Sequence, residues 1–527
     1  MRVSVVVPVY RPGDEFDDLI RSLDQQALDP QDFEVLLCDD GSGEPTVSRL
    51  AAVVAARPHM RVLQLGHTGW PGTPRNHGID AARGRYVFFV DQDDRLPPGS
   101  LRSLADFADR HSSDVVVGRE IGEGRRIPRA VFRRDIPNAV LGENPLLEML
   151  TPHKLFRTAF LHEHGIRFPD GRVRLEDHLF VMAAYFAATT ISILASEPCY
   201  VWVKRSGSAS SSRIDPASYF PHLETVLDLV EANTVPGPMR DALLRHWYRG
   251  KVLKRLEGRR MLRYPAAYRE NLLDHVIPLA RRRFGPSVEE GLDFPLRVRS
   301  ALLRSGRREE LRRLAAFDAA LGLEATVRTV GWTNRAKLLL TLDLRIAVDG
   351  RDAPRFERST SPDGAAHALW QAEDVLGADS LAPDQRDAAH DLTRNRIEII
   401  FQDSATGTET RIGGRLRGTT ATVVIDPLRV FDSAGRSPGG SLVAEVRYAG
   451  WTLRAPLRVE HAVLEDAGRS PLLAGRRCEL VLGDGDALEL RRDLGGGRIR
   501  DWSARTVQRS IRRVRTLRTT RARSPRR

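Results

Sequence analysis

Residues Gly84–Leu96 read GRYVFFVDQDDRL, an apolar run that ends abruptly in acidic residues. Tyr86–Val90 has the near-continuous apolar pattern of a strand that is buried on both faces of a sheet. Asp91 and Asp93 follow one residue apart, so a turn there can direct both carboxylates to one point. Open α/β sheets bind ligands at the carboxyl ends of their strands, and Mg²⁺ or Mn²⁺ is usually held by carboxylates and substrate phosphates. The stretch predicts a metal and nucleotide site, although a merely structural acidic turn has the same pattern.

Short apolar runs alternate with amphipathic stretches on both sides of this segment. The predicted strands and helices are, in order, Val3–Val9, Gly13–Ala27, Phe33–Cys38, Glu44–Ala56, Arg61–Leu65, Thr73–Arg83, Tyr86–Val90, Gly99–His111 and Asp114–Val117. This alternation predicts right-handed βαβ units and a parallel, doubly wound α/β sheet. No GxGxxG follows the first strand and no GKS or GKT loop occurs, which disfavours a dinucleotide-dependent dehydrogenase and a P-loop phosphotransferase.

The segments VSVVVPVY, CDDGS and PRNHGIDAARGRYVFFVDQDD together resemble the GT-A glycosyltransferases, specifically the large inverting family 2 that uses nucleotide-diphosphate sugars. The resemblance implies a GT-A, Rossmann-like domain and a bound Mn²⁺ or Mg²⁺ ion. It also implies the site residues, which are Pro8, Tyr10 and Asp40 on the nucleoside, Arg75 and Asn76 near the base or diphosphate, Asp91 on the ribose, Gln92 in contact with the nucleotide-sugar, and Asp93 on the metal. Taken singly, Arg75 is equally consistent with a surface cation, and Asn76 with a helix cap.

A second informative stretch begins HKLFRTAFLHEHGIRFPDGRVRLEDHLF at His153. Acids in a first helical turn are common because they suit the helix dipole, so Glu176 and Asp177 alone mean little. Inverting sugar transfer, however, needs a carboxylate that deprotonates the acceptor hydroxyl. The family has an acidic pair at about this distance beyond its DxD. The resemblance therefore implies that Asp177 is the general base and that Glu176 contacts the acceptor or orients the site.

The combination HKLF, FPDG, LEDH, CYVWVKR and SASSSR is similar to the bacterial wall-teichoic-acid branch of the family, whose members add N-acetylglucosamine from the UDP-sugar to poly(ribitol phosphate). The resemblance implies a UDP-sugar donor and an anionic polymer or glycan acceptor. The candidate acceptor-binding residues are His153, Lys154, Lys204, Arg205, Arg249, Lys251, Arg255 and Arg259. The basic residues after 245 are interpreted as one helix, either a solvated face or a track for acceptor phosphates.

After about residue 325, seven short alternating runs separated by Gly, Asp and Pro predict an antiparallel β-sandwich. By resemblance it is an immunoglobulin-like module for oligomerisation or acceptor binding. The polar stretch Asp352–Asp391 is longer than a usual loop and indicates an insertion or a disordered segment. The predicted organisation is a GT-A domain at 1–218, a helical linker at 219–324, the sandwich at 325–497 and an Arg-rich tail at 498–527.

The net charge of +12 is concentrated in that tail, because Asp501–Arg527 contains ten Arg and one acid. Such a tail favours an anionic membrane surface, an anionic polymer or nucleic acid, or is a solvated end. Nucleic acid is disfavoured because Trp502 is the tail's one aromatic residue, whereas RNA-binding segments interleave aromatic and basic residues.

The three cysteines lie far apart in sequence, which argues against a disulfide framework or zinc site and suits a reducing cytosol. The first apolar run is too short for a signal peptide, and no run reaches eighteen apolar residues. We therefore expect a cytoplasmic protein, at most peripheral on a membrane.

These observations predict a metal-dependent inverting glycosyltransferase. The alternatives are transfer to another capsule or exopolysaccharide glycan, a polyanion-binding or nucleic-acid-binding protein, and a nucleotide-sugar-binding scaffold without turnover.

Overall fold

The structure is a computed structural model that describes residues 1–125, 127–128, 130–205, 213–362, 364–405, 409–431, 438–473, 476–483 and 487–493. It divides into two compact units. The first unit comprises Met1–Arg255 and Tyr264–Leu292, and the second comprises Leu256–Arg263 and the chain from Asp293 onward. The first unit thus ends inside the predicted linker. The predicted Arg-rich tail lies outside the described residues, and the four-part division of the chain stays a prediction.

The first unit contains one seven-stranded sheet. Its strands are β1 Val3–Val9, β2 Phe33–Asp39, β3 Met60–Gln64, β4 Tyr86–Phe89, β5 Val115–Glu123, β6 Leu155–Arg157 and β7 Ile191–Val203. The order is β3-β2-β1-β4-β6-β5-β7. β3, β2, β1 and β4 are parallel, as predicted, with Val3 opposite Phe33 and Tyr86. β6, which was not among the predicted strands, is antiparallel to both β4 and β5. The five predicted strands therefore run in one direction, as expected, but the complete sheet is mixed and not parallel throughout. The described part of the segment before β6, residues 124–154, contains no α-helix to serve as a crossover.

Seventeen α-helices occur among the described residues. They are α1 Glu15–Asp24, α2 Thr46–Ala55, α3 Gly72–Ala81, α4 Ser100–His111, α5 Thr158–Glu163, α6 Glu176–Ala187, α7 Pro216–Ala232, α8 Pro238–Trp247, α9 Gly258–Leu262, α10 Ala266–Arg283, α11 Pro286–Glu290, α12 Phe294–Ser305, α13 Arg308–Ala320, α14 Glu373–Leu376, α15 Ala389–Leu392, α16 Pro427–Val430 and α17 His461–Ala467. α1 shows why the early helices form, because Phe16, Leu19 and Leu23 recur at helical spacing and are fully buried in the core beside β1.

The basic residues after 245 were interpreted from the sequence as one helix. The structure shows that they are not on one helix. α8 ends at Trp247 and continues as a π-helical turn, Tyr248–Val252, and a 3₁₀ turn, Leu253–Leu256. Glu257 is extended, and Gly258 has a φ of +39°. This break divides the basic residues among several helical segments. None of the described helices combines the length and apolarity required to cross a bilayer.

The second unit contains a β-rich module. Its strands are β8 Gly322–Trp332, β9 Leu338–Val348, β10 Arg351–Asp352, β11 Phe356–Thr360, β12 Ala366–Trp370, β13 Arg396–Asp403, β14 Glu409–Arg417, β15 Thr420–Ile425, β16 Gly439–Tyr448, β17 Trp451–Val459, β18 Cys478–Leu482 and β19 Leu488–Arg492. The order β13-β14-β15-β9-β8-β17-β16 closes on itself because β16 also pairs with β13.

This closure makes a barrel, so the predicted immunoglobulin-like sandwich is not confirmed. The neighbouring strands are antiparallel except for β8 and β17. Alternating residues of the ring fill one interior core. Alternation along each strand is the same in a barrel and in a sandwich, which is why the sequence pattern did not separate them. The polar stretch after β10 is an insertion with its own hairpin, β11 and β12.

Candidate active site

Gln92, a predicted nucleotide-binding residue, connects the segments after β1 and β4 by hydrogen bonds. The side-chain amide of Gln92 accepts a hydrogen bond from the Tyr10 N–H at 2.8 Å and donates one to the Tyr10 carbonyl at 3.1 Å. The Tyr10 ring stacks on His67 with the centroids 4.5 Å apart and is 37% exposed. Pro8, near the end of β1, is partly buried. An exposed aromatic ring therefore stands at the carboxyl edge of the sheet.

Asp40, at the end of β2, is buried and organises the loop after β3. Its Oδ1 accepts hydrogen bonds from the N–H and hydroxyl of Thr68 at 2.8 and 2.6 Å, and its Oδ2 accepts one from the Gly69 N–H at 2.8 Å. Both carboxylate oxygens thus hold the loop that carries His67. The contact between Asp40 and a nucleoside stays a prediction.

A buried ion-pair network joins α3, the end of β4 and α6. Arg75, 4% exposed, donates from Nη2 to Asp91 Oδ1 at 2.7 Å, and its Nη1 lies 3.8 Å from Glu176 Oε1. Burial raises the pKa of Asp91, but Arg75 and His153 oppose this and hold it well below its usual range. Arg75 Nε and Nη1 are buried without a hydrogen-bond partner among the described residues. The guanidinium therefore keeps donors available for an anionic substrate.

Asn76, the neighbour of Arg75 on α3, is engaged in a backbone clamp. Its Nδ2 donates to the Phe168 carbonyl and its Oδ1 accepts from the Phe168 N–H, both at 2.9 Å. The side chain is buried. The structure therefore places Asn76 under the site and gives its amide a structural role in place of the predicted contact with the base or diphosphate.

His153 and Lys154 also lie beneath the site, 2% and 0% exposed, although both were predicted to bind the acceptor. His153 Nε2 is 3.2 Å from Asp91 Oδ2, its Nδ1 is 3.6 Å from Glu120 Oε1, and its ring stacks on Tyr200 at 4.0 Å. Burial lowers the pKa of His153, but Asp91 and Glu120 raise it to about 9 overall. Burial lowers the pKa of Lys154 to about 8. Both side chains are therefore placed to tune the carboxylates above them.

The acidic residues after β4 crowd around a potential cation position. Asp91, Asp94 and His153 each offer a donor atom, and these atoms lie within 4.8 Å of one another. Asp93, the predicted metal ligand, is partly exposed, and burial and Asp91 raise its pKa. Burial and Asp91 also raise the pKa of Asp94, which accepts from the Tyr200 hydroxyl at 2.7 Å, to about 7. A divalent cation relieves such repulsion between like charges, and carboxylate oxygens suit Mg²⁺ or Mn²⁺.

The predicted general base lies in the first turn of α6. Leu175, directly before this helix, has a φ of +64°, which is rare for a bulky side chain. Asp177 Oδ1 accepts from the His178 N–H at 2.8 Å. Burial raises the pKa of Asp177, and this outweighs the opposing effects of Lys251 and the His178 N–H. A carboxylate with a raised pKa is a stronger base for a hydroxyl proton.

The helices after β7 hold this turn from the other side. Trp247 Nε1, at the end of α8, donates to His178 Nδ1 at 3.1 Å. Lys251, in the π-helical turn, is mostly buried and interacts electrostatically with Asp177, while burial lowers the pKa of Lys251. Turns of this kind occur frequently at functional sites. The Asp177 carboxylate thus interacts with a cation that belongs to a different helical segment.

The other basic residues predicted after 245 have different surroundings. Arg255, 9% exposed, lies over the Tyr219 ring with its guanidinium carbon 4.7 Å from the centroid. Arg249 is exposed and pairs with Glu148 at 3.1 Å. Arg259 is exposed and belongs to the second unit. The structure therefore brings Arg255, but not Arg249, into the neighbourhood of buried site residues.

The predicted basic loop after β7 is described only in part. Arg205 donates to the backbone carbonyl of Asp93 at 3.3 Å, which attaches the start of the loop to the acidic turn. Lys204 is exposed. The serines that follow, at 206, 208 and 210–212, lie outside the described residues.

Sequence reasoning missed several residues that shape the site. Glu120 is a buried acid on β5, and Tyr200 carries the stacked His153. Trp247 is fully buried against α6. Glu120 follows the apolar start of β5, but its burial, like the contacts of Tyr200 and Trp247, depends on distant parts of the chain.

Two family models match this chain. The model described as Glycosyl transferase family 2 matches residues 4–164, and the model described as Glycosyl transferase TarS linker domain matches residues 216–315. Residues 4–164 are a family 2 glycosyltransferase domain. The predicted family and its GT-A fold are confirmed, and the helices that hold α6 belong to the TarS linker domain.

Named relatives align with part of this chain. The poly(ribitol-phosphate) beta-N-acetylglucosaminyltransferase TarS of Staphylococcus aureus strain Mu50 is 34% identical over 223 residues, which cover 42% of this chain and 39% of the relative. The poly(ribitol-phosphate) beta-glucosyltransferase of Bacillus spizizenii is 31% identical over 236 residues, covering 44% of this chain and 37% of the relative. The alignments thus span about two fifths of these relatives' length.

A solved structure shares the fold. The crystal structure of S. aureus TarS 1-349 in complex with UDP-GlcNAc matches with a TM-score of 0.55 and 24% identity, covering 67% of this chain and 98% of that chain. The match extends beyond the family 2 domain, which agrees with the linker match.

Glu176, beside Asp177, gives the protein a testable pH dependence. Burial and the charge of Asp177 raise the pKa of Glu176 to about 7. The folded state therefore keeps a proton that the unfolded state has lost, and the free energy of unfolding falls as the pH rises from about 4.3, the ordinary value for Glu, to about 7. Glu176→Gln removes this effect. We expect the variant to gain up to about 3 kcal/mol relative to wild type across this interval.

The measurement is urea-induced unfolding of the full chain at several pH values from 4.5 to 8. Glu163→Gln, which changes an exposed glutamate on α5, is the matched control and should follow the wild-type pH profile. Parallel profiles for wild type and Glu176→Gln would show that Glu176 has an ordinary pKa.

Proposed function

We propose that this chain is an inverting glycosyltransferase that moves a sugar from a UDP-sugar to a hydroxyl of poly(ribitol phosphate). The observation that carries the proposal is the position of Asp177, a partly exposed carboxylate with a raised pKa next to the Arg75–Asp91–Glu176 network. Support comes from the family 2 domain and from the relatives named above, whose printed activities use this acceptor. The complex of TarS with UDP-GlcNAc supports the donor class.

In the proposed reaction, the Asp177 carboxylate accepts the proton of the acceptor hydroxyl. The hydroxyl oxygen then forms a bond to the anomeric carbon of the donor as the bond from that carbon to the UDP oxygen breaks. UDP leaves with the electron pair, and a single displacement inverts the anomeric configuration. The His178 N–H and Trp247 keep Asp177 in place during this proton transfer.

A divalent cation, Mn²⁺ or Mg²⁺, is part of the proposal. Asp91, Asp94 and His153 would hold it, with Asp93 as the ligand that the sequence predicts. When bound, the cation supplies positive charge for the departing diphosphate. Arg75 is suited to bind the same diphosphate, because its Nε and Nη1 have no hydrogen-bond partner among the described residues.

The donor sugar is proposed to be N-acetylglucosamine. The named activity of the S. aureus relative supports this sugar, and that of the B. spizizenii relative makes glucose a second candidate. Pro8, Tyr10, Asp40, Asp91 and Gln92 remain the proposed nucleotide-binding set.

Lys251 and Arg255 are proposed to contact acceptor phosphates, because Lys251 interacts electrostatically with Asp177 and Arg255 lies over the Tyr219 ring. We also keep Lys204, Arg205 and Arg249 as proposed acceptor-binding cations at the margin of the site. The second unit, with Arg259, is proposed to serve oligomerisation or acceptor binding. The Arg-rich tail is proposed to attach a cytoplasmic enzyme to an anionic membrane.

The test is UDP release by the full chain from UDP-N-acetylglucosamine, UDP-glucose and UDP-galactose with Mn²⁺, with and without poly(ribitol phosphate). We expect release from one of the first two donors to require both metal and polymer. Metal-dependent hydrolysis of a UDP-sugar at a rate that the polymer does not change would exclude poly(ribitol phosphate) as the acceptor. If UDP is released from none of the three donors, the proposed transfer from a UDP-sugar is wrong.

A further inference from the structure

Two arginines in the loop before α6 lie against one tryptophan. The guanidinium carbons of Arg172 and Arg174 are 5.8 and 5.3 Å from the ring centroid of Trp70. Within the described part of the chain, no carboxylate oxygen lies within 4.0 Å of either guanidinium. The indole Nε1 of Trp70 is buried and acts on the Glu176 carboxylate, whose pKa it lowers. Two guanidinium groups that lack a carboxylate partner therefore converge on one aromatic ring.

The loop is held in position by the helix beneath it. The Asn76 side chain bonds to both backbone groups of Phe168, and the Thr73 hydroxyl donates to Asp170 Oδ1 at 3.1 Å. A Cβ on Gly72 would lie only 2.8 Å from the Pro169 carbonyl, so the backbones of α3 and the loop are in close contact. Because the loop is organised before binding, less ordering entropy is lost when a ligand arrives.

The electrostatics of this cluster favour an anion. A cation–π contact at an exposed site contributes only about 0.5–1 kcal/mol and leaves the charge of Arg172 and Arg174 uncompensated. The guanidinium fork matches phosphate oxygens in pairs, and its plane stacks on an aromatic ring. Trp70 thus orients two forks.

The cluster lies on the same side of the site as the base. Arg174 is three residues before Asp177, and its backbone N–H donates to His222 of the linker domain at 3.2 Å. Arg174, Asp177 and Arg255 all act electrostatically on Tyr219. The proposed nucleotide-binding residues, in contrast, lie at the ends of β1, β2 and β4.

We propose that Arg172, Arg174 and Trp70 bind a phosphate group of the polymeric acceptor, next to the unit whose hydroxyl meets Asp177. This inference rests on the proposed function, because it assigns a phosphate site to the same acceptor. It adds a second set of cations to that of the linker domain. A polyol phosphate chain would then be held on both sides of the reacting hydroxyl. The other source of a phosphate at this position is the diphosphate of the donor.

The test compares wild type with the double variant Arg172→Gln/Arg174→Gln in the UDP-release assay and in direct binding of poly(ribitol phosphate) without donor. We expect the KM for the polymer to rise at least tenfold, with kcat and the KM for the UDP-sugar within twofold of wild type. The salt dependence of polymer binding should become weaker, because phosphate contacts release counterions. Arg172→Lys/Arg174→Lys should restore part of the affinity, since it keeps charge but loses the fork.

Arg110→Gln is the matched control, because Arg110 is exposed in the last turn of α4, at the sheet edge opposite the site. An unchanged polymer KM in the double variant, with normal wild-type transfer, would overturn this inference and leave the proposed function intact. A raised KM for the donor instead would assign the cluster to the diphosphate and overturn it too. If wild type shows no transfer, loss of polymer binding in the double variant supports the cluster while the proposed reaction fails. Wild type that neither transfers to nor binds the polymer would overturn both.

Discussion

Asp177→Asn is expected to lower sugar transfer by about 10²- to 10⁴-fold, the usual contribution of a general base, and to leave UDP-sugar binding unchanged. The amide has nearly the shape of the carboxylate but cannot accept a proton from the acceptor hydroxyl. Its oxygen can still accept the hydrogen bond from the His178 N–H, now 2.8 Å long, so the first turn of α6 should persist. The measurements are UDP release with polymer present and equilibrium binding of the UDP-sugar.

Two further variants make this result specific. Asp18→Asn introduces the same chemical change on the exposed face of α1 and should transfer sugar at the wild-type rate. Glu176→Gln should reduce transfer less than Asp177→Asn, because Glu176 is proposed to orient the site. Loss of a general base leaves far less than a tenth of the activity. If Asp177→Asn retained more than about a tenth of wild-type transfer, Asp177 would therefore not be the base. A greater loss in Glu176→Gln would assign the base to Glu176.

The parts of the fold that were predictable from sequence are those set by local pattern. β1, β2 and β4 begin at the predicted residues, and α2 and α3 each lie within about two residues of the predicted bounds. Buried parallel strands are apolar along their whole length, and polar residues start where the strand leaves the sheet. The same rule placed Asp40, Asp91 and Asp93 at one edge of the sheet.

The parts that were not predictable depend on contacts between distant residues. His153 reads as a surface cation in sequence, yet the Tyr200 ring and the Asp91 and Glu120 carboxylates bury it. The closure of the barrel rests on the pairing of β13 with β16, which no single strand encodes. Trp70 likewise lies about 100 residues before Arg172 and Arg174 in sequence. These side chains come into contact only when the loop folds onto α3.

Arg75→Met should destabilise the first unit by about 3 kcal/mol, the lower end for removing one member of a buried ion pair. Arg75 is the buried cation between Asp91 and Glu176, and methionine fills much of its volume without supplying charge. Asp91 would keep one partner, His153 at 3.2 Å, which is why we expect the lower end of the range. The measurement is thermal unfolding of the full chain together with hydrogen exchange resolved by segment.

Hydrogen exchange decides where the stability is lost. Segments covering α3, α6 and the Asp91 turn should exchange faster in Arg75→Met, while those of the barrel should match wild type. Arg75→Lys, which keeps a charge but not the fork, should fall between the two. Arg167→Met is the control, because Arg167 makes a two-pronged pair with Asp80 on the surface, where such pairs contribute less than about 1 kcal/mol. An equal loss of stability in Arg75→Met and Arg167→Met would show that burial adds nothing to the stabilising effect of Arg75. It would also show that Asp91 and Glu176 are solvated well enough to need no cation between them.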